Sequence, residues 1–154
     1  MKVLVCGGRD YQNVHAVNLA LHALHEQHRI TAIVEGGANG ADHWARRWAE
    51  SNGIHLTTVH ADWKAHGRAA GPMRNALMLA EHRPDVVVAF PGGAGTADMV
   101  RRAKADGIPV LGPYRARDQR AQHQDVPGLA PEGREPGGEA TRPDPHTSHD
   151  TGKP

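Results

Sequence analysis

A single cysteine, Cys6, is all the thiol this 154-residue chain contains. No intramolecular disulfide framework is possible, which fits a reducing compartment and a cytoplasmic location. Long apolar runs are also missing. None approaches the roughly 18 residues that a membrane span requires, and glycines interrupt the opening "MKVLVCGG" before a secretory core can form. Neither sign of charge dominates: 18 Lys and Arg stand against 17 Asp and Glu, a formal net charge of +1, and aromatic residues make up only 4%. A single-stranded nucleic-acid binder needs a basic groove with aromatic platforms, so this balance argues against nucleic acid as partner. Two phosphate signatures are absent as well. There is no G-x-x-x-x-G-K-[ST], and no G-x-G-x-x-G after the first apolar run followed by an acid at the required spacing, which disfavours ordinary NTPases and hydride-transfer dehydrogenases.

What is present is a regular alternation. Five short apolar runs, at residues 2–6, 30–35, 54–59, 85–90 and 108–112, each meet glycine, proline or a polar turn. Their hydrophobicity is continuous rather than alternating, as in strands covered on both faces of a parallel sheet. Segments with helical spacing lie between them. Val14, Val17, Leu21 and Leu24 form one stripe, Trp44 and Trp48 lie one turn apart in the second segment, and Met73, Leu77 and Ala80 are expected to face inward in the third. "TADMVRRAKADG" supplies the fourth, closed by Gly107. The expected fold is therefore a doubly wound, Rossmann-like α/β sheet of about five strands in the order 3-2-1-4-5. After Tyr114 the chain turns rich in Pro, Gly and charge, with Val126 and Leu129 its only sizeable aliphatics. Ordering costs about 1–2 kcal/mol per residue, and so little apolar surface cannot offset it. The expected organisation is one domain over 1–114 and a disordered tail over 115–154.

Three glycine-rich loops follow expected strands: "GGRD" (7–10), "GGANGAD" (36–42) and "PGGAGTAD" (91–98). Strand order 3-2-1-4-5 brings them to one crevice at the carboxyl edge of the sheet, where open α/β sheets bind ligands. Glycines remove the Cβ atoms that keep an anion from the backbone, and free amides at a helix start favour phosphate. Thr96 adds a hydroxyl donor or a helix cap. Gly7, Gly8, Gly36, Gly37, Gly40, Gly92, Gly93, Gly95 and Thr96 are thus candidate ligand-binding residues.

The motifs "GGRD", "EGGANGAD", "W…HGRAAGPMRN" and "FPGGAGTAD", in this order, resemble the YspA, cpYpsA-related branch of the SLOG superfamily, over roughly residues 1–114. The superfamily includes the Lonely Guy phosphoribohydrolases and the DprA and Smf proteins. The resemblance implies a Rossmann-like fold and a pocket for a nucleotide or nucleotide-derived ligand. It implies no established reaction for this branch. "RNALM", from Arg74 to Met78, is similar to the R-K-x-x-M element of the phosphoribohydrolases, which gives Arg74 a pocket role and places Asn75 where they carry lysine. Their P-G-G-x-G-T-x-x-E motif ends in a catalytic glutamate. Here that position is Met99, which cannot stabilise an oxocarbenium-like centre, unless Asp98, Asp10 or Glu35 supplies the carboxylate. If the protein is a hydrolase, Arg74 and Asp98 are the expected catalytic pair. Dimeric relatives imply a possible homo-oligomer.

Individual side chains admit two readings each. Arg9 can clamp a phosphate or pair with Asp10; Asp10 can meet ribose hydroxyls or cap a helix; Asp42 can meet the ligand or merely favour a helix dipole. Trp63 can stack on a base or serve packing. His22, His25 and His28 recur at i, i+3 and i+6 but lack a matching acid or cysteine, and Cys6 in a buried strand reads as an inert small hydrophobe. No metal and no cofactor enter the reading. The function expected is ligand sensing at the three glycine loops; N-glycosidic hydrolysis is the alternative, with single-stranded DNA binding behind both.

Overall fold

The computed structural model describes residues 1–114, so the expected tail, 115–154, lies outside the described residues. Strands β1 (Lys2–Cys6), β2 (Ala32–Glu35), β3 (His55–Thr58), β4 (Val86–Ala89) and β5 (Val110–Leu111) form one parallel sheet in the order β3-β2-β1-β4-β5. Helices α1 (Val14–His28), α2 (Ala41–Ser51), α3 (Trp63–His66), α4 (Ala70–His82) and α5 (Ala94–Ala105) make the crossovers, with a 3₁₀ turn, Gly67–Ala69, between α3 and α4. This is the expected fold and strand order. The strand order reverses at β1, which is paired with β2 on one side and, through Val3↔Val86 to Cys6↔Ala89, with β4 on the other.

The pleat explains the uninterrupted apolar strands. Val3 and Val5 pack with Val17, Leu21, Leu24 and Trp48 beneath α1 and α2, while Leu4 and Cys6 pack with Met78, Leu79, Met99 and Ala103 beneath α4 and α5. Alternate residues of one strand therefore enter two different cores. Each fully buried aliphatic contributes about 1.5–3 kcal/mol, so both faces hold the central strands. In α1 the expected stripe is buried except for Val14, the first helical residue, which is 38% exposed. The rings of His22 and His25 meet the buried Trp48 edge-on, and His25 Nδ1 accepts from Ile30 N at 3.1 Å. His22 and His25 are thus part of the packing around α2.

Helix α4 departs from the expected face. Met73 and Leu77 are 48% and 44% exposed, Ala80 is also exposed, and the inward positions are Asn75, Met78 and Leu79. Asn75 sets this rotation. Its Nδ2 donates to Gly95 O at 3.0 Å and to Asp98 Oδ2 at 3.1 Å, fastening this face of the helix to α5. A buried polar residue whose bonds are satisfied replaces one large aliphatic in the stripe, so hydropathy alone selects the wrong side. Cys6 is as expected: it is buried among the second core, and that burial pushes its thiol up to about 12.

Candidate functional site

The three glycine loops meet at the carboxyl ends of β1, β2 and β4. One residue, Gly8, joins them through its backbone. Gly8 N donates to Pro91 O at 2.9 Å, and Gly8 O accepts from Ala41 N at 3.3 Å and Tyr11 N at 3.2 Å. Glycine is required at several of these crossings by close approach. A Cβ on Gly7 would lie 2.5 Å from that of Ala41, and Gly40, at φ 70°, sits directly against the Gly8 and Arg9 carbonyls. Between the loops opens a cleft of about 650 Å³. Of the expected residues, Gly7, Gly8, Arg9, Asp10, Gly36, Asp42, Arg74, Asn75, Gly92, Gly93, Gly95 and Thr96 line it. Gly37 lines an adjoining recess, while Gly40 and Asp98 line neither space.

In the second loop two buried acids engage the backbone. Asp42, 5% exposed in the first turn of α2, accepts from Gly36 N at 3.1 Å and Ala38 N at 3.2 Å. Burial pushes its carboxyl up to about 6, with the charge of Glu35 adding to the shift and the Ala38 and Gly36 amides and Arg74 opposing it. Glu35, fully buried, accepts from Gly37 N at 2.6 Å, from the Thr58 hydroxyl, and from Arg46 in a two-pronged pair at 3.2 and 3.1 Å. That buried pairing occupies Glu35 as a scaffold acid. The amides of this loop are therefore turned to the protein's own carboxylates.

The loop after β4 is organised differently. Helix α5 begins at Ala94 behind Gly93, and no side chain caps it. The first amides of a helix have no partner within it, and here the helix dipole adds positive potential. A Cβ on Gly92 would strike Thr96 Oγ1 and lie 2.6 Å from Gly8 N, so that glycine is needed for packing. Gly93 and Gly95 are not: a Cβ on either would meet nothing within 4 Å, and neither has a positive φ. Both glycines face empty space at an uncapped helix start.

Cations stand opposite. Arg74 on α4 donates through Nη1 to Gly36 O and through Nε to Asn75 Oδ1 at 3.2 Å, and Gly36 has no side chain because this guanidinium lies against it. Arg9 lies over the half-exposed Trp63 ring, 5.2 Å from its centre, an arrangement favoured by the ring's quadrupole. Among the described residues neither arginine makes an ion pair, since the ion pairs there join Glu35 to Arg46 and Asp98 to Arg101 and Arg102. Asp98 is turned to its own helix. Burial raises its carboxyl, but hydrogen bonds from Arg102, Asn75 and Arg101 outweigh that and hold it below the ordinary range.

The floor is apolar. Met99, where phosphoribohydrolase relatives carry glutamate, is 1% exposed and lines the cleft with Met78 and Val5. Sequence reasoning also missed Tyr11, whose carbonyl accepts from Trp44 Nε1 at 3.1 Å, and Gly71, which seats the Trp63 ring. Gly71 carried a readable signal, since a glycine inside a helix costs stability and usually marks a packing or functional contact.

A doubly wound α/β domain with a glycine-lined cleft at its strand-order reversal is the class these features define. The chain belongs to the YspA, cpYpsA-related SLOG family, whose model matches residues 1–66, the part carrying the first two glycine loops. The Gene 61 protein of Mycobacterium phage D29 is 40% identical over 118 residues, covering 71% of this chain and 94% of that protein. Solved structures share the fold at lower identity. DNA processing protein A (DprA) from Streptococcus pneumoniae superposes with a TM-score of 0.59 at 20% identity, over 71% of this chain and 48% of that one, so this chain spans about half its length. TM1055 gives 0.57 at 23% identity over 78% and 79% of the two chains. The Moco carrier protein from Chlamydomonas reinhardtii gives 0.50 at 20% identity over 79% and 81%. Among the described residues no helix is long and apolar enough to cross a membrane.

Proposed function

We propose that the cleft binds a nucleotide or nucleotide-derived small molecule and that the protein works as a ligand sensor. The observation that carries this reading is the start of α5, where Gly93 and Gly95 leave the backbone bare without any steric or conformational need of the protein itself. Glycine in a helix costs about 0.5–1 kcal/mol relative to alanine. A phosphate seated on the amides of residues 93–96 accounts for that cost. Gly92 holds the turn, Thr96 adds its hydroxyl, and Arg9 and Arg74 supply unpaired positive charge across the cleft. Asp10 and Asp42, the carboxylates lining the cleft, meet the ribose, while Met78 and Met99 form an apolar floor.

Binding without turnover is favoured over N-glycosidic hydrolysis by the acids. Met99 brings no carboxylate to the floor, and Asp98, which does not line the cleft, is engaged by Asn75, Arg101 and Arg102. The test is calorimetric titration with adenosine 5′-monophosphate, alongside chromatography for released adenine. Saturable binding with the nucleotide recovered intact is expected. Absence of heat at millimolar nucleotide refutes the binding reading, and accumulation of free adenine refutes sensing in favour of hydrolysis.

A further inference from the structure

Beside the main cleft lies a second recess of about 270 Å³, walled by Arg9, Trp63, Arg74, Asn39, His60 and the Gly36–Ala38 backbone. Arg9, Trp63, Arg74, Gly36 and Ala38 line both spaces, so the two share a wall. The recess differs from the cleft in chemistry. It has no carboxylate and no large aliphatic in its lining, whereas two guanidinium groups, an imidazole and an amide converge there. The second-loop glycines make this possible. Gly36 gives way to the Arg74 guanidinium, and Gly37, at φ 74°, gives way to the His60 ring, which would collide with a Cβ at that position. These glycines leave room for the protein's own guanidinium and imidazole side chains, whereas Gly93 and Gly95 leave room for a guest.

We infer that the recess is a second anion subsite, and that the ligand is a nucleotide bearing a second phosphate group apart from the one at α5. This rests on the nucleotide reading above and narrows its substrate class. Arg9 and Arg74 stand between the two anions and serve both, and no acid of the described residues pairs with either. The Arg9 guanidinium over Trp63 and the Arg74 guanidinium on the Gly36 carbonyl are both already positioned, so little side-chain freedom is lost on binding. Asn39 and His60 belong to the recess alone and are exposed, with no part in the core.

Three probes separate the possibilities: adenosine 5′-monophosphate, adenosine 3′,5′-bisphosphate and ADP-ribose. The first carries one phosphate, the second places another on the same nucleoside, and the third adds one through a pyrophosphate bridge. At least one of the latter two is expected to bind about tenfold or more tighter than the monophosphate, as one added charge-assisted contact implies. In Asn39→Ala and His60→Ala that advantage shrinks severalfold, while monophosphate affinity stays within about twofold. If the monophosphate binds and neither diphosphorylated probe binds tighter, the second subsite is wrong and the nucleotide reading survives. If the advantage appears but both variants retain it, the extra phosphate lies elsewhere and the subsite is again wrong. If nothing binds, both readings fall together.

Discussion

Replacing Gly95 by alanine adds one methyl group at the second residue of α5, where nothing lies within 4 Å of the new atom. Without ligand the change removes a flexible residue from a helix, and alanine is the better helix former by about 0.5–1 kcal/mol. In a domain of this size that corresponds to a rise in Tm of about 2–6 °C. With ligand the sign reverses, because the methyl group occupies the space over the open amides. Loss of one hydrogen bond to a charged phosphate weakens binding by about 1.5–3 kcal/mol, roughly 10- to 100-fold. A variant that is more stable and binds more weakly is the signature of a residue kept for a guest. Gly92→Ala is the control, since its Cβ lies 2.6 Å from Gly8 N and strikes Thr96. Such overpacking costs about 1–3 kcal/mol, so this variant loses stability with or without nucleotide. Differential scanning calorimetry and titration with adenosine 5′-monophosphate measure both terms. A Gly95→Ala protein that is less stable than the parent, or that binds the nucleotide equally well, refutes the placement of phosphate at this helix start.

Other expectations follow from the buried acids and the thiol. Asp42 holds its proton up to about pH 6 when folded, against an ordinary value of 3.8, so its contribution favours the folded state below about pH 4 and is lost as pH rises to 6. The loss amounts to at most about 3 kcal/mol, and Asp42→Asn, which keeps an acceptor for Gly36 and Ala38, should flatten denaturant-derived stability across that range. The Glu35–Arg46 pair is asymmetric, with the Glu35 side chain fully buried and that of Arg46 28% exposed. Arg46→Ala should therefore cost about 3–5 kcal/mol by stranding a buried charge, and Arg46→Ala with Glu35→Gln should recover part of it in urea denaturation. Cys6, with its thiol at about 12, should resist a water-soluble thiol reagent at pH 8 and react only after denaturant unfolds the chain; labelling of the native protein within minutes would contradict its burial.

Strand positions were legible because the central strands bury both faces, leaving apolar runs such as "VLVC" with no polar interruption to hide them. The meeting of the glycine loops followed from strand order alone. Less legible were matters that depend on where a polar side chain finds its partner. Asn75 looks like a surface residue until Gly95 and Asp98 are seen beside it, and it shares the buried face of α4 with Met78 and Leu79. Asp98, next to the glycine motif, is drawn away by Arg101 and Arg102 three and four residues on, a local helical pairing present in the sequence but competing with the motif. Arg9 and Trp63 are 54 positions apart in the chain, and no periodicity relates them.

The Gly8 backbone, bonded at once to Pro91 through its N–H and to Ala41 through its carbonyl, links the start of α5 beneath one face of the sheet to the start of α2 on the other. Three corners built this way behave as one rivet. An insertion of even one residue beside Gly8 would unfasten two helices, so this edge has little freedom to evolve by changes in length. Change has more room in the overhanging arm that carries His60 and Trp63, whose helix buries none of its own residues.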